Sequence, residues 1–409
     1  MDRSRKDMLQ NILIVLLSLS ALLLMMQAWQ FFPLRSSAGP QNTTAGLQAK
    51  LTDFSAPLRF SVTGAYGRYG DLSMTTAEED FAQPGSLLRE ALGSAGSPAA
   101  CTEKDFRRAL ATDCAYYDFE TVMPAPVLAG LVGAELPAAL EGSAPRQLLL
   151  SVRGEATDLY LTDGTVFLRC ATQVVASDLQ EMVSAYPLGG AAFAYELEAP
   201  LSPYSLLPTG QLPACPLLTA ENPLTDEELL LSQLEFNPRT NFRYTESDGT
   251  TVVQEEERTL RLAGDGTITY ESGGSTALTV AAEAASATAR EAALGAFRLL
   301  DRLFPGGSAL CLEEVLRDGE DWLISFDYHY DGTRVRRSNG LSAAQVRISG
   351  TMVKSFSLWP RSCSAADGES LLLPLNQAVA IARPLEGREL VIRYIDSGDR
   401  QLSAVWLAE

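Results

Sequence analysis

The chain of 409 residues is short of two kinds of side chain: it has one histidine, and 32 basic residues against 51 acidic ones. A lone His329 excludes a metal centre built on several imidazoles and a pair of histidine acid–base groups. The net charge of −19 makes a surface that repels phosphate backbones, which argues against binding to DNA or RNA. It also disfavours general adsorption to anionic lipid, so attachment to a membrane requires an apolar segment. The six cysteines include no CxxC pair, so zinc ribbons and thioredoxin chemistry lack their spacing. There is no GxxxxGK[ST] loop and no GxGxxG opening a helix, since Gly264-Asp265-Gly266 reads as a turn, and the sequence calls for no cofactor. With 46% hydrophobic and 20% charged residues the chain is neither a disordered tail nor a polytopic membrane protein, and its length allows two or three domains.

What the chain does have is one long apolar run. Ile12 to Met26 is almost unbroken Leu, Ile, Val, Ala and Met, and it continues through Trp29, Phe31 and Phe32 to the roughly 20 residues that a bilayer-spanning helix needs. Arg3, Arg5 and Lys6 precede it and only Arg35 follows closely. This bias predicts a cytoplasmic N-terminus at residues 1–11, a transmembrane helix over residues 12–32 and everything after it outside the cell. The rival reading is a cleaved signal peptide ending near Ser36-Ser37-Ala38, but the stretch is long for one. Ser18, Ser20, Gln27 and Gln30 are the polar groups in this segment and are candidates for hydrogen bonds to neighbouring helices. Outside the membrane disulfides are permitted, and Cys101 with Cys114 is the nearest pair in sequence.

The remaining sequence predicts an α+β fold, with antiparallel sheets and packed helices in two or three extracytoplasmic domains. Residues 33–46 read as a linker and residues 47–201 as a first α+β domain, opening on the alternating strand Leu58-Arg59-Phe60-Ser61-Val62. Residues 202–224 carry five prolines and read as a Pro-rich linker in which no central strand fits. Residues 225–409 form a C-terminal α+β region with a joint near residues 273–279. A helix begins after Thr225, the candidate capping residue, and the strongest helix spans Ala282 to Phe304. Asp-Gly-Thr occurs four times, at Asp163, Asp248, Asp265 and Asp331, each flanked by β-rich sequence. Asp-Gly supplies the positive φ of a two-residue type I′ turn, so each predicts a hairpin tip.

Candidate chemistry is sparse. A Ser-His-Asp triad would have to use His329, which sits between two tyrosines on a predicted strand. Lys354 and Ser355 are adjacent on a strand and point to opposite faces, so they do not make a dyad. The acidic clusters Glu255-Glu256-Glu257 and Glu320-Asp321 read as solvated turns or edge charges. Arg334, Arg336 and Arg337 form the one dense basic cluster beyond the apolar segment and are a candidate contact patch for an acidic partner. No catalytic or metal-binding residue is predicted.

The stretch Phe236-Asn237-Pro238-Arg239-Thr240-Asn241-Phe242-Arg243-Tyr244, with Arg258 to Leu262 and Asp265 to Tyr270, resembles the YycH/YycI family. Phe326-Asp327-Tyr328, Gly332, Arg361, Leu373-Pro374, Gln377-Ala378 and Val405-Trp406 extend the resemblance through residues 225–409. Over residues 45–200 it rests on element order and on Tyr117-Asp118 followed by Pro124 and Leu128. The family comprises membrane-anchored regulators of a cell-wall two-component system. The resemblance therefore implies a YycH-like, non-enzymatic, single-pass regulator. Its implied partners are a sensor histidine kinase and a sister bitopic YycI-like regulator. The alternative expectation is an extracytoplasmic wall-associated scaffold or ligand-binding module.

Overall fold

The structure is a computed structural model that describes residues 50–224, 226–237, 242–274, 277–280, 286–304 and 310–409. The expected membrane segment, with Ser18, Ser20, Gln27 and Gln30, lies outside the described residues. Among the described residues no helix is long and apolar enough to cross a membrane.

The first half is a seven-stranded sheet. Its strands are β1 (Pro57–Gly64), β2 (Gly67–Thr75), β3 (Ala99–Ala100), β4 (Cys114–Asp118), β5 (Gln147–Arg153), β6 (Ala156–Thr162) and β7 (Phe167–Val175), in the order β2-β1-β4-β5-β6-β7-β3. All of its pairings are antiparallel. Helices α1 (Ala82–Gly93), α2 (Glu103–Leu110), α3 (Ala125–Val132) and α4 (Ala176–Ser184) accompany it. On β1 the apolar alternates Leu58, Phe60 and Val62 enter the main core, as the sequence pattern predicts. The polar alternates Arg59, Ser61 and Thr63 are buried as well, so β1 is covered on both faces.

Then follow β8 (Ala191–Phe193), β9 (Leu206–Pro208), β10 (Pro216–Glu221) and α5 (Glu227–Gln233). Two of these strands correct the reading of residues 202–224 as a linker. β10 is the central strand of a three-stranded sheet, between β20 (Ser362–Glu369) and β22 (Gln401–Leu402). The prolines permit this because Pro208 ends β9 and Pro216 opens β10, positions where a missing N–H costs little. Helix α5 is capped by Asp226, whose carboxylate accepts from the Leu229 N–H. The expected capping residue, Thr225, lies outside the described residues.

The second large sheet has eleven strands. These are β11 (Phe242–Thr245), β12 (Thr251–Glu255), β13 (Arg258–Leu262), β14 (Ile268–Ser272), β15 (Leu310–Asp318), β16 (Asp321–Tyr330), β17 (Thr333–Arg337), β18 (Ala344–Ser349), β19 (Met352–Leu358), β21 (Leu390–Asp396) and β23 (Ala404–Ala408). Its pairings are antiparallel except β17 with β21. Helix α6 (Ala289–Leu303) packs on it and α7 (Leu375–Ala382) precedes β21, making seven α-helices among the described residues. The Thr288 hydroxyl accepts from the Glu291 N–H, and Glu291 returns a bond to the Thr288 N–H at 2.8 Å, which fixes where α6 begins.

All four Asp-Gly-Thr tripeptides are hairpin tips. Only Asp331-Gly332 has positive φ at both residues (47° and 73°), as a type I′ turn requires. At the other three, the Asp carboxylate accepts from the Thr N–H two residues on, closing longer loops with a single left-handed glycine. One apolar core contains Phe60, Tyr117 and Leu150 of the first half together with Tyr270, Phe297 and Phe326 of the second, and the described residues pack as one compact unit.

Candidate functional site

The buried polar face of β1 leads to a network of ionised side chains between the two large sheets. Arg59 lies 2.8 Å from Asp118, 2.8 Å from Glu389 and 3.6 Å from Glu120. Arg146 meets the same Asp118 and Glu389 at 2.9 and 2.5 Å. Glu120 reaches across to Arg334 at 2.6 Å and Arg393 at 3.2 Å. Arg393 continues to Glu409 at 3.0 Å, and Glu409 lies 3.5 Å from Arg336. Arg336 in turn pairs with Asp327 at 2.5 Å and with Glu313. Four of these pairs, Arg59–Glu389, Arg146–Glu389, Glu120–Arg334 and Glu120–Arg393, join the first half of the chain to the second.

Glu120 is the hub. Its φ of 66° lies in the left-handed region, which costs a non-glycine residue about 1 kcal/mol. Its N–H donates to the Asp118 carboxylate at 2.8 Å, which holds that conformation. Burial alone would raise its pKa, but Arg393, Arg334 and Arg59 together hold it well below the usual carboxylate range. Glu389 is also pulled down against burial, by Arg59 and Arg146. Asp327 goes the other way. Burial and the neighbouring Glu313 push it up, while Glu313, beside Arg336, overcomes burial and stays low. At the outer end of the network a cleft of about 200 Å³ is lined by Glu120, Thr121, Glu313, Glu314, Arg334, Arg336, Arg393 and Glu409.

The structure gives all three arginines of the expected contact patch partners within the chain. Arg334 is buried and paired with Glu120, Arg336 pairs with carboxylates on three other strands or strand ends, and Arg337 lies 4.3 Å over the Trp359 ring. Arg334 is interior and Arg336 and Arg337 are half-buried, because β17 runs between β16 and β21 rather than along an edge. The expected Cys101–Cys114 disulfide is not formed. Cys101 follows β3, and β3 is separated from β4 by β7, β6 and β5, about 19 Å at ordinary strand spacing. A disulfide needs Cα atoms within about 7 Å. Burial pushes the Cys114 thiol up to about 11 and Cys311 up to about 12.

His329 has found a serine. Its Nε2 and the Ser55 Oγ are 2.9 Å apart in a hydrogen bond, which is two members of a triad. The position of the third member is unfilled, because the buried Nδ1 has no hydrogen-bond partner. Burial and the nearby Arg334 guanidinium lower the imidazole pKa to about 4. Both effects oppose the imidazolium that a general base must become.

Sequence reasoning missed Glu120, Glu389, Arg59, Arg146 and Arg393 as a group. The available signal was an arginine at an alternating position of a strand whose apolar face is already satisfied. One apolar surface also went unremarked: Leu371, Leu373, Ile381 and Leu385, around α7, are 97%, 42%, 66% and 50% exposed. The chain matches no family model, no curated protein and no solved structure.

Proposed function

We propose that the chain is a single-pass membrane protein whose extracytoplasmic body binds and biases a cell-wall-linked sensor histidine kinase, alongside a sister bitopic regulator. The reading rests on the apolar run Ile12 to Phe32 and on the resemblance of residues 225–409 to the YycH/YycI family. The observation that carries it furthest is the use made of charge. Four arginines (Arg59, Arg146, Arg334, Arg393) and two carboxylates (Glu120, Glu389) make the ion pairs that join the two sheets into one body. A regulator of this kind acts by binding the signalling states of its kinase unequally. The membrane helix supplies the contact with the kinase, with Ser18, Ser20, Gln27 and Gln30 as the polar groups available to it.

Replacing residues 12–32 with a poly-Leu helix tests this, read by a transcriptional reporter of the two-component system. Loss of regulation, with the chain still in the membrane, is the expected result. Retained regulation would move the contact to the extracytoplasmic body.

A further inference from the structure

The cleft at the outer end of the ion-pair network draws its lining from both halves of the chain and carries charges of both signs. On β15 a bulge between Leu312 and Glu314 interrupts the ladder with β16. Successive residues of an unbroken strand face opposite ways, but here Glu313 and Glu314 both line the cleft. Glu313 is taken by Arg336, whereas Glu314, half-buried, makes no hydrogen bond or ion pair among the described residues. Burial and the neighbouring Glu313 push the Glu314 carboxyl up. The hydroxyl of Thr121, another lining residue, is free as well. Two arginines of the cleft have the opposite need, and both are more than nine-tenths buried. Arg334 gives Nε to Glu120 and Nη2 to the Leu312 carbonyl, and its Nη1 has no acceptor. Arg393 gives Nη1 to Glu120 and Nη2 to Glu409, and its Nε has none.

We propose that the cleft binds a small amino acid, with the ligand carboxylate on Arg334 and Arg393 and its ammonium on Glu314. Unused guanidinium donors suit a carboxylate, and an ammonium suits the unpaired carboxylate of Glu314 with the Thr121 hydroxyl as a further acceptor. The ammonium also answers the repulsion between Glu313 and Glu314. A simple anion would leave Glu314 unanswered and meet four glutamates, and a simple cation would leave the arginine donors unanswered and meet three arginines. A metal ion fits less well, since among the described residues no group of three acidic, histidine or cysteine side chains is placed to hold one. The cleft measures about 200 Å³, below the roughly 300–1,000 Å³ of sites for drug-sized ligands, which limits the occupant to a short chain. Its lining comes from residues 120–409, so the site goes beyond the regulator reading and does not depend on the membrane anchor.

The test uses the full chain in detergent and probes that share one four-carbon skeleton. 2-Aminobutyrate and 4-aminobutyrate carry both charges, while butyrate and butylamine carry one each. Binding is titrated by saturation-transfer NMR of the probe. The expected result is that one of the aminobutyrates binds about tenfold more tightly than either single-charge probe, the worth of one charge-assisted hydrogen bond. Glu314→Gln should reduce that affinity about tenfold, to the level of butyrate, and leave butyrate itself unchanged. Because Glu314 is unpaired in the fold, the variant should keep the urea midpoint of the parent. The proposal is overturned if neither aminobutyrate exceeds both single-charge probes. Butylamine binding as tightly as the aminobutyrates also overturns it, since the cleft would then be a site for cations alone. So does an aminobutyrate whose affinity is the same in Glu314→Gln, which would place the ligand elsewhere.

Discussion

Replacing Glu120 probes the charge network at its hub. Glu120→Gln keeps the shape of the side chain and removes the charge that faces three guanidinium groups. Arg59 retains Asp118 and Glu389, and Arg393 retains Glu409, but the ion pair of Arg334 is with Glu120. Removing one partner of a buried pair costs about 3–5 kcal/mol, and the lower end is expected here because two of the three arginines keep another carboxylate. Strain is separable from charge. At φ 66° alanine keeps the strained backbone and glycine relieves it, so Glu120→Gly should be less destabilised than Glu120→Ala by about 1 kcal/mol. Urea unfolding of residues 50–409 measures both, as a shift in midpoint at constant slope. Acid adds a third readout. The folded-state pKa of Glu120 is depressed, so its stabilisation is complete above the unfolded value of about 4.3 and is lost as pH falls toward the folded value. Glu120→Gln should therefore show a shallower loss of stability below about pH 5. A Gln variant within about 0.5 kcal/mol of the parent at neutral pH, with an unchanged acid limb, would refute the hub role.

Three further outcomes follow from the geometry. With only one histidine in the chain, a single imidazole signal should stay flat by NMR from pH 8 down through the ordinary value of about 6.5, and titrate near 4. Because that folded pKa is lowered, His329 contributes a loss of stability as pH falls from about 6.5 toward 4, which His329→Gln should abolish; an inflection near 6.5 would contradict the burial. Gly332→Ala should cost about 3 kcal/mol or more in a urea titration, since its Cβ would sit 1.3 Å from the Ser73 carbonyl oxygen at a φ of +73°. Gly249→Ala, with nothing within 4 Å, should cost only the backbone strain of about 1 kcal/mol. Without reductant, unfolded protein should react with six equivalents of thiol reagent, and four would mean that one disulfide is present.

Local signals in the sequence were legible because their physics is local. The Asp-Gly-Thr tips carry their own positive φ, and α6 carries its apolar stripe, although the Thr288 cap went unread and the helix begins at Ala289 rather than at Ala282. The sequence also pointed to the α+β class with antiparallel sheets. What the pattern could not supply was the burial of the polar face of β1. Alternation reads as one wet face, and only the tertiary fold shows that Arg59 meets Glu389 across 330 residues. Arg334 was misplaced for the same reason: a basic run after a hairpin looks like an edge until a distant strand, β21, covers it. The proline-rich segment was misread because its prolines sit at strand ends, where composition and position give opposite answers.

The membrane-tethered regulator reading is tested most directly by cross-linking and mass spectrometry of the partners captured from native membrane, with the full chain and with a form lacking residues 1–35. Capture of a histidine kinase and a second single-pass protein by the full chain alone is the predicted result. Capture of wall-synthesis proteins by both forms, with no kinase in either, would contradict it and favour the wall-associated scaffold.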